Sequence, residues 1–132
     1  MSTLSIITGI PGSGKSTFAH KNFPGVLVLE NDMFHMHNGK YDFNASKQHA
    51  AVNWCFKATE FAMMNGMDVV VSNTFTQRRF IQPYADLAKK YGYEFKVYHM
   101  NGKFDDVHNV PKDVKDRMAK QFEIWPNVIE VQ

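Results

Sequence analysis

One cysteine, Cys55, among 132 residues leaves nothing to pair within the chain, so a disulfide-stapled scaffold is excluded and a reducing, cytoplasmic setting is expected. Cys55 lies in the amphipathic stretch AVNWCFKATEF, which suits a buried, inert thiol better than a nucleophile. No apolar run approaches the roughly 20 residues that span a bilayer, so no membrane association is expected. The amino terminus lacks a charged region leading into an apolar one, so no signal peptide is expected. Charge of neither sign dominates: 15 Lys and Arg against 13 Asp and Glu leave +2. That permits a nucleic-acid partner without arguing for one. The six histidines are scattered, and His35 and His37 alternate in a loop with no third ligand beside them, so no structural metal is expected. Internal repeats and low-complexity tracts are absent as well.

What is present is ordinary globular composition, with 44% hydrophobic and 21% charged residues, enough to bury a core without staples. Short apolar runs alternate with longer amphipathic stretches. LSIIT (Leu4 to Thr8), VLVLE (Val26 to Glu30), MDVVVS (Met67 to Ser72) and YEFKVYHM (Tyr93 to Met100) read as strands, with VIEV near the end as a fifth. The unbroken apolar character of MDVVVS suggests burial on both faces, as in a parallel sheet. Between the strands, KSTFAHKNF is a short helix stopped by Pro24-Gly25, and Asn44 to Asn65 is a helix stopped by Gly66. TQRRFIQPYADLAKKYG is a helix capped by Thr76, kinked at Pro83 and stopped at Gly92; Pro111 opens a last helix. Asn38-Gly39 marks a turn. This alternation predicts an α/β fold, a parallel sheet of about five strands with helices on both faces. With no linker in view, residues 1–132 are expected to form a single domain.

TGIPGSGKST, Thr8 to Thr17, joins the first strand to the first helix. Gly9, Gly14, Lys15 and Ser16 fit G-x-x-x-x-G-K-[ST], and Pro11, Gly12, Ser13 and Thr17 complete the loop. The glycines let backbone N–H groups turn toward an anion, and the helix beginning at Lys15 adds the positive end of its dipole. Lys15 can reach the β- and γ-phosphates of a nucleoside triphosphate, and the Ser16 hydroxyl can ligate a magnesium ion. Further on, ENDMFH puts Asp32 just past the second strand. Ligands of open α/β sheets collect at the carboxyl ends of strands, so Asp32 is placed to face the phosphates and to accept a proton from an acceptor hydroxyl.

GIPGSGKSTFA, NDMFH, VVVSNTF and LAKKYGYEF, in that order, resemble the P-loop kinases related to 5′-polynucleotide kinase, in particular the kinase domains of bacteriophage enzymes; the resemblance runs from Ile6 to Met118. It implies a sheet whose first strand lies between the third and fourth. It also implies ATP and Mg2+ as cosubstrates and a hydroxyl acceptor, such as the 5′ end of a nucleic acid or a nucleotide-like molecule. By the same resemblance Asp32 is the general base, and Asn73 and Thr74 line the active site. The chain departs from the pattern in three places. Ser72 and Asn73 stand where relatives carry an acidic residue. His35 occupies the place of an arginine used near the acceptor. FDDVHNVP offers Asp105 and Asp106 where a lid arginine is usual, which leaves Arg78, Arg79, Lys112, Lys115 and Arg117 as candidates to replace that cation.

Asn101 to Asn109 is expected to be a mobile lid. Phe75, Phe80, Tyr84 and Tyr41 could stack a base, although aromatic residues at helix starts more often join a core. Beside a polynucleotide kinase, two readings stay open: a small-metabolite kinase, and an ATP-binding regulatory module with little catalysis. The oligomeric state is not legible in the sequence.

Overall fold

A computed structural model describes residues 2–37, 39–101 and 112–131. The strands are β1 (Thr3–Thr8), β2 (Leu27–Leu29), β3 (Met36–His37), β4 (Lys40–Tyr41), β5 (Val69–Ser72), β6 (Glu94–Met100) and β7 (Ile129–Val131). The helices are α1 (Lys15–Asn22), α2 (Gln48–Met64), α3 (Arg78–Tyr91) and α4 (Lys112–Gln121), with 3-10 turns at Asn31–His35 and Ala45–Lys47. Five strands form one sheet in the order β2-β5-β1-β6-β7, and every pairing in it is parallel. β1 therefore lies between the third and fourth of the expected strands, as the resemblance implied. β3 and β4 form a small antiparallel hairpin around Gly39.

The two-residue alternation of a strand sends successive side chains to opposite layers. Leu4, Ile6, Val69, Val71 and Val97 pack with Cys55, Ala62 and Met63 of α2 and with Ile81, Tyr84, Leu87 and Ala88 of α3. On the other face Ile7, Val70 and Met100 pack with Ala19, joined by Phe18, Phe23 and Tyr98. Burial on both faces explains why β5 carries no polar residue before Ser72: a hydrophilic side chain on either side would meet a helix. Leu4, Ile6 and Ile7 are fully buried. Each such side chain contributes about 1.5–3 kcal/mol relative to exposure, which makes β1 the stable post from which the following loop hangs.

Local signals failed at the start of α3. α3 begins at Arg78, its cap position is Gln77, and no side chain of that residue or of Thr76 caps it. The cap comes from far along the chain: the Arg78 N–H donates to Glu123 Oε1 at 2.8 Å, and the Glu123 N–H donates to the Thr76 carbonyl at 2.7 Å. Pro83 lies inside α3, and Gly92 ends the helix in the left-handed conformation, φ 69°. The expected lid, apart from Asn101, and Pro111 fall outside the described residues. Among the described residues no helix is long and apolar enough to cross a membrane.

Candidate active site

The loop after β1 is shaped by one crowded position. Gly9 has φ 156°, and a β-carbon there would sit 2.4 Å from Ser13 Oγ and 3.1 Å from Met100 Cβ. Its N–H donates to the Thr74 carbonyl at 3.3 Å, pinning the loop to the end of β5. Gly14 occupies the left-handed region, φ 90°, at the start of α1, and provides no side-chain cap. The first turn of α1 also has no acidic residue. Its open N–H groups and dipole are therefore offered to an anion from outside the helix. Lys15 Nζ donates to the carbonyls of Gly9 at 2.9 Å and Ile10 at 3.2 Å, which holds the ammonium across the loop. Ser13 is buried, and its hydroxyl has no hydrogen-bond partner among the described residues. Ser16 and Thr17, one turn further, are exposed.

Two strand ends face this loop. Asn73, directly after β5, and Asn31, two residues after β2, bond reciprocally. The Asn31 N–H donates to Asn73 Oδ1 at 2.8 Å, and Asn73 Nδ2 donates to Asn31 Oδ1 at 3.2 Å. The Asn73 N–H also donates to the Ile7 carbonyl at 3.2 Å. This clasp fixes the chain on both sides of Asn31. On one side Glu30 accepts a hydrogen bond from Ser16 Oγ, at 3.4 Å. On the other Asp32 accepts one from the Tyr41 hydroxyl of β4, also at 3.4 Å. Glu30, which the sequence reading did not assign to the site, is a polar contact of the loop. The signal for it was present: Glu30 directly follows a strand that pairs with β5, at the same carboxyl edge as the loop.

His35, expected near the acceptor, is placed differently. It is 1% exposed, its Nε2 pairs with Gln48 Oε1 at 2.8 Å, and its ring lies 5.0 Å from that of Phe43. With its Nε2 edge engaged and its faces packed, the ring anchors the hairpin that carries Tyr41. Arg78 and Arg79 are exposed at the start of α3, but both have other partners. Arg78 Nε donates to the Ile124 carbonyl at 2.7 Å, and the Arg79 guanidinium lies 4.9 Å from the Phe80 ring centre. Lys112 and Arg117 are exposed on α4. Phe75 and Tyr84 are buried against each other, so neither offers a free face to a base. Cys55 is buried beneath Asn73, whose Nδ2 lies 4.0 Å from its sulfur, and burial pushes the thiol up from its ordinary range.

The structure thus gathers Lys15, Ser16, Glu30, Asp32, Asn73 and Thr74 at the carboxyl ends of β1, β2 and β5. A groove of about 340 Å³ between α1 and the edge strand β2 runs up to this gathering and is lined by His20, Phe23, Val28, Glu30 and Met33 among others. Among the described residues no three His, Cys, Asp or Glu side chains converge as a metal cage.

Residues 4–102 match the family described as an AAA domain. An uncharacterized protein of Pasteurella multocida (strain Pm70) is 34% identical over 134 residues, covering 86% of this chain and 73% of that protein. Among solved structures, a chain of the Pnkp1/Rnl/Hen1 RNA repair complex superposes with a TM-score of 0.70 at 20% identity, over 92% of this chain and 44% of that one. A sugar kinase from Janibacter sp. HTCC2649 superposes with a TM-score of 0.67 at 14% identity, over 99% and 84%. At such identities the superpositions speak to the fold, a kinase-like P-loop architecture.

Proposed function

Since this chain belongs to the AAA-domain family, we propose that it is an ATP-dependent kinase that moves the γ-phosphoryl group to an alcohol, the 5′-hydroxyl of a polynucleotide or a nucleotide-like molecule. One observation carries the reading. A loop built to take phosphate, with Lys15 across it and an uncapped helix behind it, lies at the same strand-end edge of the sheet as a carboxylate, Asp32, which accepts a hydrogen bond from the Tyr41 hydroxyl. Phosphoryl transfer asks little covalent chemistry of a protein. It needs the donor held in line, the developing charge neutralised, and the acceptor proton taken. The N–H groups of the loop and of the first turn of α1 hold the β- and γ-phosphates, and Lys15 exchanges its loop carbonyls for phosphate oxygens. Asp32 orients the acceptor hydroxyl and receives its proton. Asn73 and Thr74 fix the relative positions of loop and strand ends. Ser16 would supply a hydroxyl to magnesium, and the carboxylate beside it suits a hard cation that takes oxygen ligands. That ion, when bound, would neutralise negative charge on the triphosphate.

The polynucleotide acceptor is supported by the order of the sequence motifs and by the likeness to a chain of an RNA repair complex. The likeness to a sugar kinase favours a second reading, a small-metabolite acceptor. Incubation with γ-labelled ATP and either a 5′-hydroxyl oligonucleotide or a panel of sugars and nucleosides separates them. Label on the oligonucleotide supports the first reading, and label only on small acceptors supports the second. Tight ATP binding with no transfer to any acceptor overturns both, in favour of a regulatory module.

A further inference from the structure

We infer that Glu30 is the carboxylate that fixes the magnesium ion of this site, acting through the Ser16 hydroxyl. The inference rests on the kinase reading above. At the end of β5 the side chains are neutral: Asn73 is committed to Asn31, and Ser72 is buried with a hydroxyl that has no hydrogen-bond partner among the described residues. The strand next to β5 is β2, and its last residue is followed at once by Glu30. The carboxylate therefore reaches the same edge from one strand further out. Its Oε2 accepts the Ser16 hydroxyl at 3.4 Å, so it touches the group expected to ligate the metal. Its backbone is held as well, because the Glu30 carbonyl accepts the Met33 N–H at 3.1 Å and the Asn31 N–H is bonded to Asn73.

Other described carboxylates nearby have different engagements. Asp32 meets Tyr41, and Glu130 meets Asn101 on the far side of the sheet. Magnesium keeps several waters and takes few protein ligands beside the phosphates, so the Ser16 hydroxyl oriented by Glu30 is a sufficient protein contribution.

The charge gives this role a signature. Without metal, Glu30 sets a negative charge beside the site for a polyphosphate and opposes it. With magnesium the same charge attracts the complex. A residue that only shaped the loop would act alike in both conditions.

The test is a fluorescence titration with a mant-ATP probe, in EDTA and across a magnesium series, on the wild type, Glu30→Gln and Glu30→Asp, with thermal melts to verify folding. The half-saturating magnesium concentration should rise about 10–100-fold in Glu30→Gln, the range for groups that orient metal ligands. Metal-free affinity should be unchanged or tighter, and Glu30→Asp should recover part of the metal response. An unchanged magnesium response in Glu30→Gln, beside a wild type that responds, overturns the role of Glu30 and leaves the kinase reading standing. An equal loss in EDTA and in magnesium also overturns it, because the residue then only supports the loop. A folded wild type that binds no nucleotide in either condition overturns the kinase reading itself.

Discussion

Replacing Gly9 by alanine adds one methyl group where there is no room. The new carbon would lie 2.4 Å from Ser13 Oγ, 3.1 Å from Met100 Cβ and 3.2 Å from the Met100 carbonyl oxygen. Met100 Cβ and carbonyl oxygen are fixed to the backbone of β6, and the Ser13 hydroxyl, though it can turn about one bond, is buried and must turn within the packed loop. Overpacking of this kind costs about 1–3 kcal/mol. The backbone at φ 156° adds strain that a side chain would bear at about 1–3 kcal/mol. A central value of about 4 kcal/mol lowers the melting temperature of a chain this size by about 12–20 °C. Gly66 supplies the control. It also has a positive φ, 73°, but a β-carbon there meets nothing within 4 Å. Gly66→Ala should therefore show only the backbone cost, about 1–2 kcal/mol. Urea unfolding followed by circular dichroism measures both variants, and mant-ATP binding reports whether the loop has kept its shape. If Gly9→Ala were as stable as Gly66→Ala and bound nucleotide normally, the close approach at the loop would be refuted.

Lys15→Ala should weaken triphosphate binding and abolish transfer, because the cation proposed to meet the β- and γ-phosphates is gone; unchanged affinity with unchanged turnover would rule the site out. Asp32→Asn should keep the fold and ATP binding while slowing transfer by about 10²–10⁴, measured with labelled ATP, and near-normal transfer would refute the general-base assignment. Burial pushes the Cys55 thiol above its ordinary 9.0 and the Tyr84 phenol above its ordinary 10.0. The folded chain keeps both protonated where the unfolded chain has begun to lose protons. Stability is therefore whole below pH 9.0 and falls as pH rises past 9.0 and 10.0 toward the raised values. Urea midpoints at about pH 8 and about pH 10.5 should reveal the fall, and Tyr84→Phe should flatten it.

The parts of the fold legible in the sequence were those governed by neighbours along the chain. The Val69–Ser72 run advertised a strand buried on both faces, and the glycine loop declared itself because each of its residues answers a local backbone demand. What stayed hidden depended on distant partners. The cap of α3 is Glu123, 45 residues from Arg78, and no inspection of Thr76 or Gln77 could reveal it. The β3–β4 hairpin has strands too short to display alternation, so only its turn showed. His35 was read as a loop residue near the acceptor, and its burial depends on Gln48 and Phe43, which lie further along the chain. Glu30 was not singled out because strand alternation says which face a residue takes only while the strand lasts, and β2 ends at Leu29.

The clasp between Asn31 and Asn73 joins two strand ends through neutral amides. A carboxylate in that place would have tied the spacing of the strands to proton concentration and to salt. With amides the spacing is set by geometry alone, and acid, base or ionic strength can alter what the cleft attracts without altering its width. Such a separation leaves the frame that holds Glu30 and Asp32 the same size whatever charged group is brought up to them.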